Sequence, residues 1–257
     1  MDINAEFKKA KNVAEDVKEK AKEKVNERIS EEDMMKLLDA CYDKCLKGIG
    51  KTIPSVDRMA SDYLEKSTNP ETAAKNMQKF QIAKCTTSGV ITGFGGIVSL
   101  PVSIPANIGS VLYVQMRMIA CTAKIAGYDL DSDQVQTLVY ACLAGISVGE
   151  ILKAAGLQVG QKVAVNTIKK IPFEVIKKIN KAAGFRLVTK FGEKGVVNLG
   201  KLVPGVGAII NGGFDLVETK IIADRAYKMF FEGDFQSNNN EINVVEVDAE
   251  IAETAEK

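Results

Sequence analysis

The longest stretch of this chain without a charged side chain runs from Cys85 to Met116, a length of 32 residues. A helix of that length could cross a bilayer. Fourteen of these residues, however, are Gly, Pro, Ser or Thr, and Pro101 and Pro105 stand near the centre of the run, where they would break a helix. We therefore expect two buried helix segments joined at the prolines rather than a conventional membrane span. A re-entrant or membrane-inserting hairpin is the alternative.

Helix start signals flank this uncharged run. Ser30-Glu31-Glu32-Asp33 has the form of a capping box and predicts a helix from Glu31 to a stop near Gly48 or Gly50. Asn69 and Pro70 predict an N-cap and the first residue of another helix. The inward residues of that helix are predicted to be Ala73, Met77, Phe80 and Ala83.

A further helix start is predicted near Ser132, where acidic residues precede an apolar repeat. Small residues then recur at helical spacing and would lie along one face of that helix, at Ala141, Gly145, Gly149, Gly156 and Gly160. No stretch alternates as a strand would. The predicted fold is all-α, a single large helical bundle with glycine-rich, proline-broken apolar core helices.

The charges are distributed unevenly, although the net charge is only +1. Residues 153–201 carry 11 basic and 2 acidic side chains, whereas residues 232–257 carry 8 acidic and 1 basic. We predict a charged amphipathic N-terminal helix at 1–29, an all-helical domain at 30–233 and an acidic tail at 234–257. The tail is expected to be disordered or loosely docked. A rival interpretation makes it an intramolecular cover for the basic block.

The chain has no histidine, which excludes Ser-His-Asp and Cys-His catalysis and every imidazole metal site. No catalytic residue, metal or cofactor is assigned. The five cysteines stand mostly in apolar runs and are expected to be small core residues in a reducing compartment. The N-terminus has no signal-peptide pattern, so we expect a cytoplasmic protein.

Nucleotide and nucleic-acid binding are not expected. The glycine clusters at residues 93–96 and 205–207 match no phosphate-binding loop. The basic block has one arginine, Arg186, and the chain has no tryptophan.

Several sequence blocks, in order, resemble the EcsC family. They are Gly-Val-Ile-Thr-Gly-Phe-Gly-Gly at 89–96, Leu-Pro-Val-Ser-Ile-Pro at 100–105, and Arg117 followed by Ile-Ala-Gly-Tyr-Asp at 125–129. Two later blocks of the chain, at 185–195 and 204–230, look like the family's C-terminal region. The resemblance covers residues 31–232 and leaves both charged ends outside.

The resemblance implies a bacterial, all-helical, cytoplasmic protein. The family is named for a member encoded beside the subunits of an ABC transporter, and no catalytic activity is established for it. An acidic residue often lies between the two prolines in this family, where this chain has Ser103. The candidate binding residues taken from these blocks and from isolated charges are Thr92, Gly93, Pro101, Pro105, Arg117, Asp129 and Asp215.

A basic amphipathic pattern runs from Lys169 to Lys190, with apolar residues three or four apart and lysines between them. Such a helix can contact the headgroups of an anionic membrane; an ordinary surface helix has the same pattern. The candidate membrane-surface residues are Lys169, Lys170, Lys177, Lys178 and Lys181.

Two functions follow from these features. The first is a non-enzymatic, membrane-peripheral helical protein that binds anionic lipid or acts as an accessory to a membrane (ABC-type) transporter subunit. The alternative is a histidine-free hydrolase acting on an apolar substrate with carboxylates such as Asp129, Asp215 or Glu218. A structural ion pair between Arg117 and Asp129 or Asp215 is the simplest interpretation of those charges.

Overall fold

The computed structural model describes residues 29–51, 53–86, 106–157, 168–191, 218–235 and 242–243. Within these ranges the protein is an all-α bundle, which confirms the predicted fold class. The helices are α1 (Glu31–Lys47), α2 (Val56–Glu65), α3 (Pro70–Thr86), α4 (Ala106–Ile125), α5 (Asp133–Ala144), α6 (Gly149–Ala154) and α7 (Phe173–Phe191). Helical residues 218–227, here α8, continue into a π-helical turn at Lys228–Glu232.

Helix α4 lies at the centre of the bundle and packs against α1, α2, α3 and α5. It contains the last part of the uncharged run, and Leu112, Met116 and Ile119 are fully buried. Residues 106–116 of the uncharged run thus belong to a core helix, as expected. Residues 87–105, which contain both prolines and most of the glycines, lie outside the described residues.

Two predicted helix starts are confirmed by their caps. The Ser30 hydroxyl accepts a hydrogen bond from the backbone N–H of Asp33 at 3.0 Å, and the Asn69 side-chain oxygen accepts one from the N–H of Thr72 at 2.8 Å. Each bond satisfies a donor that the first turn of a helix otherwise leaves unpaired. The first helix ends at Lys47, and Gly48 caps it with φ 74°.

Ser30→Ala is expected to lower the free energy of unfolding by about 1 kcal/mol, because it removes the acceptor for the Asp33 N–H. Ser132→Ala is the matched control. Ser132 is also an N-cap, but its side chain makes no capping bond and donates to the Gln134 side chain instead. Urea unfolding of both variants measures the difference; equal losses would show that the Ser30 cap contributes nothing.

The predicted face of small residues from Ala141 to Gly160 does not form on one helix. Helix α5 ends at Ala144 because Gly145 adopts the left-handed conformation, with φ 72°. The chain then forms a two-residue strand, β1 (Ile146–Ser147), before α6 begins at Gly149. Gly160 lies outside the described residues.

The start of the predicted acidic tail contacts the chain just after α5. Phe235 is buried, and its carbonyl accepts hydrogen bonds from the Ser147 hydroxyl at 2.9 Å and the Gly149 N–H at 2.7 Å. Strand β2 (Ile242–Asn243) pairs in parallel with β1. The rest of the tail lies outside the described residues, so its disorder stays a prediction, as do the domain boundaries.

The cysteines of the described bundle are core residues, as expected. Cys41 and Cys45 lie one helical turn apart on α1 and are buried, as are Cys121 and Cys142, and none of these four forms a disulfide.

Candidate functional site

The apolar side of α7 faces the bundle. Ile176, Ile179, Ala183 and Leu187 are buried, and the helix packs on α5 and α1. The burial of this stripe stabilises the fold and makes it unavailable to a membrane. Any membrane contact made by α7 must therefore use its lysine side.

The five lysines predicted for a membrane surface are all exposed. Phe173, the first residue of α7, lies among them with 61% of its surface exposed, more than any other large apolar residue of the described chain. Phe173, Lys177 and Lys181 follow one another at intervals of four residues, which places them on one side of the helix. We call Phe173 and these lysines the lysine surface: Lys169, Lys170, Phe173, Lys177, Lys178 and Lys181.

The lysine surface carries a concentrated positive charge. Glu174 is the one acidic residue between residues 168 and 191. Its carboxylate lies 3.6 Å from the Lys177 ammonium, which also stands 4.6 Å from the centroid of the Phe173 ring. Lys169, Lys170 and Lys181 make no ion pair with any residue that the structure describes. Within this segment, five exposed lysines thus accompany one acidic residue.

A second polar group is buried around Arg117 on α4. The Arg117 side chain is only 5% exposed, and one of its nitrogens, Nη2, donates to the Met59 sulfur on α2 at 3.5 Å. Its other terminal nitrogen, Nη1, is buried and has no hydrogen-bond partner. Gln81 on α3, 6% exposed, donates to the same Met59 sulfur at 3.5 Å. Two buried donors thus share one thioether, a weak acceptor.

Thiols and a phenol surround the Arg117 guanidinium. Burial raises the pKa of Cys121 from 9.0 to about 12; the nearby positive charge of Arg117 opposes that rise, and the Asp57 carboxylate adds to it. Asp57 itself forms an ion pair with Lys124 at 2.7 Å. Burial likewise raises the pKa of Tyr113 to about 12, with a further rise from Cys45 and an opposing effect from the charge and hydrogen bond of Arg117. The pKa of Cys45 is raised by burial and by Cys41, and Arg117 again opposes the rise. The thiols and the phenol stay protonated and neutral at physiological pH, so none of them supplies a counter-charge for Arg117.

The buried thiols predict a loss of stability at alkaline pH. Burial also raises the pKa of Cys41 from 9.0 to about 12. Between these two values a thiol ionises in the unfolded chain but not in the folded one, so the free energy of unfolding falls as pH rises. The slope is at most about 1.4 kcal/mol per pH unit for each thiol.

Urea unfolding measures the free energy of unfolding at several pH values, some below pH 9.0 and some between pH 9.0 and about 12, and so gives this slope. The Cys41→Ala/Cys121→Ala variant should have a shallower slope than the parent chain. An unchanged slope would show that these thiols are not its cause.

The predicted ion pair between Arg117 and Asp129 does not form. Asp129 lies exposed in the turn after α4, and its carboxylate accepts a hydrogen bond from the Asp131 N–H at 3.2 Å. That local bond holds the turn and leaves Asp129 away from the core. Asp215 lies outside the described residues, as do Thr92, Gly93, Pro101 and Pro105, so their roles stay predictions.

The carboxylates proposed for a hydrolase do not gain support from their surroundings. Asp129 faces solvent, and Glu218 forms an ion pair with Lys190 on α7. Paired and exposed acids do not have the enclosed environment that general acid or base catalysis requires. No group of three or more His, Cys, Asp or Glu residues in the described chain could hold a metal ion.

Gln81 and Met59 were not predicted to take part in any site. Helical spacing predicts only that Gln81 and Met59 lie on helices. Their contact with Arg117 depends on how α2, α3 and α4 pack. Arg225 on α8 is a second buried arginine, and it donates to the Cys142 carbonyl at 2.8 Å, at the C-terminus of α5. A cation at that position is favourable because helix C-termini carry partial negative charge.

One protein-family profile, that of the EcsC protein family, matches this chain from residue 2 to residue 231, a range that includes the central helices. The chain belongs to the EcsC protein family. The match begins well before residue 31, so the charged N-terminal segment lies inside the EcsC region. The resemblance had placed this segment outside it. No curated protein and no solved structure matches this EcsC chain. Among the described helices none is both long and apolar enough to cross a membrane.

Proposed function

We propose that this EcsC protein is a non-enzymatic peripheral membrane protein of the cytoplasmic face, which binds anionic lipid headgroups through the lysine surface. One observation carries the proposal: Phe173, the most exposed large apolar residue of the described chain, stands among five exposed lysines. An apolar ring surrounded by cations matches the boundary between acyl chains and anionic headgroups.

The energetics favour reversible binding. Each lysine near an anionic surface contributes about 1 kcal/mol at physiological salt. Burying the Phe173 side chain among acyl chains would add about 1.5–3 kcal/mol when complete. The apolar stripe of α7 is used in the core, so the protein contacts the membrane as a folded body and does not insert a helix.

Vesicle flotation tests the proposal directly. The full chain should float with vesicles that contain phosphatidylglycerol and stay in solution with pure phosphatidylcholine, and added salt should release it. Binding to neither vesicle would overturn the lipid proposal. A protein partner, such as a transporter subunit of the kind the family resemblance implies, would then be the remaining hypothesis. Equal binding to both vesicles would contradict the role of the lysines.

Phe173→Ala is expected to weaken binding to phosphatidylglycerol vesicles by about tenfold, because the ring no longer enters the bilayer. Phe80→Ala is the matched control, since Phe80 is 50% exposed but lies on a different helix, α3. Phe80→Ala should float like the parent chain. Equal losses in the two variants would show that Phe173 is not the anchoring residue.

A further inference from the structure

We propose that Arg117 forms an internal binding site for the carboxylate or phosphate of an anionic amphiphile, such as a fatty acid or a lysophospholipid. The site is separate from the lysine surface and does not depend on it. It consists of the Arg117 guanidinium, the Gln81 amide and the Met59 sulfur, between α2, α3 and α4.

The unsatisfied donors of this group call for a strong acceptor. Arg117 is only 5% exposed, yet its Nη1 has no acceptor in hydrogen-bond geometry, and both its Nη2 and the Gln81 amide donate to the Met59 sulfur. The neutral Tyr113 hydroxyl also interacts with the guanidinium but brings no negative charge. A buried cation without a counter-ion is strongly unfavourable. Anionic oxygens would accept from the guanidinium in bidentate geometry and replace the thioether as acceptor.

The segment that leads directly into α4 does not supply the missing charge. The segment at 87–105, which leads directly into α4, contains no acidic residue, and neither does the segment at 158–167. Among the described residues no carboxylate forms an ion pair with Arg117. An external anion is therefore the occupant we favour.

Asp215 is the acidic residue most readily proposed as an internal partner of Arg117. Helix α8, which follows it in the chain, packs on a side of α4 other than the one that carries Arg117. Thr219, four residues later, accepts a hydrogen bond from Gln115. Gln115 and Arg117 are two residues apart on α4, which separates them by about 200° around the helix. The Arg117 side of α4 instead faces Met59 of α2.

The chemistry around Arg117 favours an amphiphile over a small inorganic anion. The groups that influence it or bond to it are thiols, a thioether and a phenol, at Cys45, Cys121, Met59 and Tyr113. These groups are neutral and largely apolar, so they would contact an acyl chain favourably. Among these described residues, the guanidinium, the Gln81 amide and the Tyr113 hydroxyl supply the polar contacts.

Binding measurements on the full chain test the site. The probes are oleate, a lysophosphatidylglycerol and inorganic phosphate, followed by calorimetry and native mass spectrometry. Oleate or the lysolipid should bind, and Arg117→Met should weaken that binding by about tenfold or more. Binding of inorganic phosphate alone, lost in Arg117→Met, would support the anion site and identify a free phosphate as its ligand. Arg225→Met is the control, because Arg225 is also buried but bonds to the Cys142 carbonyl; it should bind like the parent chain.

Three results would overturn the proposal. The first is that none of the probes binds, and the second is that binding survives Arg117→Met. The third is that Arg117→Met and Asp215→Asn lower the free energy of unfolding equally and the double variant loses no more, which would identify an internal ion pair. Arg117→Gln, which keeps hydrogen-bond donors but removes the charge, decides the binding question if Arg117→Met does not fold. All Arg117 variants should still float with phosphatidylglycerol vesicles, so failure here and failure of the lysine surface are separately visible.

Discussion

Binding to phosphatidylglycerol vesicles should fall by about three orders of magnitude when four lysines of the lysine surface become glutamine. Each lysine contributes about 1 kcal/mol near an anionic membrane, and every 1.4 kcal/mol is a tenfold change in affinity. The substitutions leave the core unchanged, because all four side chains are exposed. They are Lys169→Gln, Lys170→Gln, Lys177→Gln and Lys181→Gln.

A control with the same change in net charge separates a local surface from general attraction. It replaces four exposed lysines on other parts of the bundle, Lys51, Lys66, Lys79 and Lys220. Sedimentation with vesicles at fixed salt gives both dissociation constants. A control variant that binds as weakly as the lysine-surface variant would contradict a specific membrane-binding face.

Gly48→Ala should lower the free energy of unfolding by roughly 2–5 kcal/mol, from a left-handed backbone and a steric clash together. Gly48 has φ 74°, and a Cβ there would lie 2.6 Å from the Ile53 carbonyl oxygen and 2.7 Å from the Ser55 nitrogen. Both are backbone atoms, and the bridge between Ile49 and Ile53 holds that segment in place.

Gly50→Ala is the matched control for the clash. Gly50 also has a positive φ of 54°, but a Cβ there would meet no atom within 4 Å. Its expected cost is the backbone term alone, about 1–2 kcal/mol. Chemical denaturation of the two variants compares them; losses of equal size would show that the α1–α2 turn yields to the added methyl group.

The helix starts of this protein could be predicted from sequence because they depend on short-range contacts. The Ser30 and Asn69 caps each bond three residues along the chain. The break after α5 was missed because helical spacing alone does not show that Gly145 is left-handed. The strand that follows pairs with residues 242–243, about a hundred positions away, which no local pattern reveals.

The inward side of α3 was only half predicted. Ala73 and Met77 are buried as expected, but Phe80 and Ala83 are exposed. Two glutamines occupy the buried positions in that part of the helix. Gln78 donates to the Thr122 hydroxyl and the Ala223 carbonyl, and Gln81 donates to the Met59 sulfur. These hydrogen bonds to neighbouring helices allow the two amides to be buried there.

The two candidate sites differed in how far sequence could predict them. The exposure of the lysines follows from helical periodicity, since the apolar stripe of α7 must face the core. The group around Arg117 needed three helices to be placed, because Met59, Gln81 and Arg117 are separated by more than twenty residues each. A lone arginine after an uncharged run signalled only that some partner is required.

A single tryptophan at the proposed contact gives the most direct test of the membrane-binding face. The chain has no tryptophan, so Phe173→Trp reports from one position. Its fluorescence should shift to the blue with phosphatidylglycerol vesicles and stay unchanged with phosphatidylcholine, while Phe80→Trp should stay unchanged with both. A Phe173→Trp signal that does not move, or a shift of equal size in Phe80→Trp, would contradict the assignment of the lysine surface as the membrane contact.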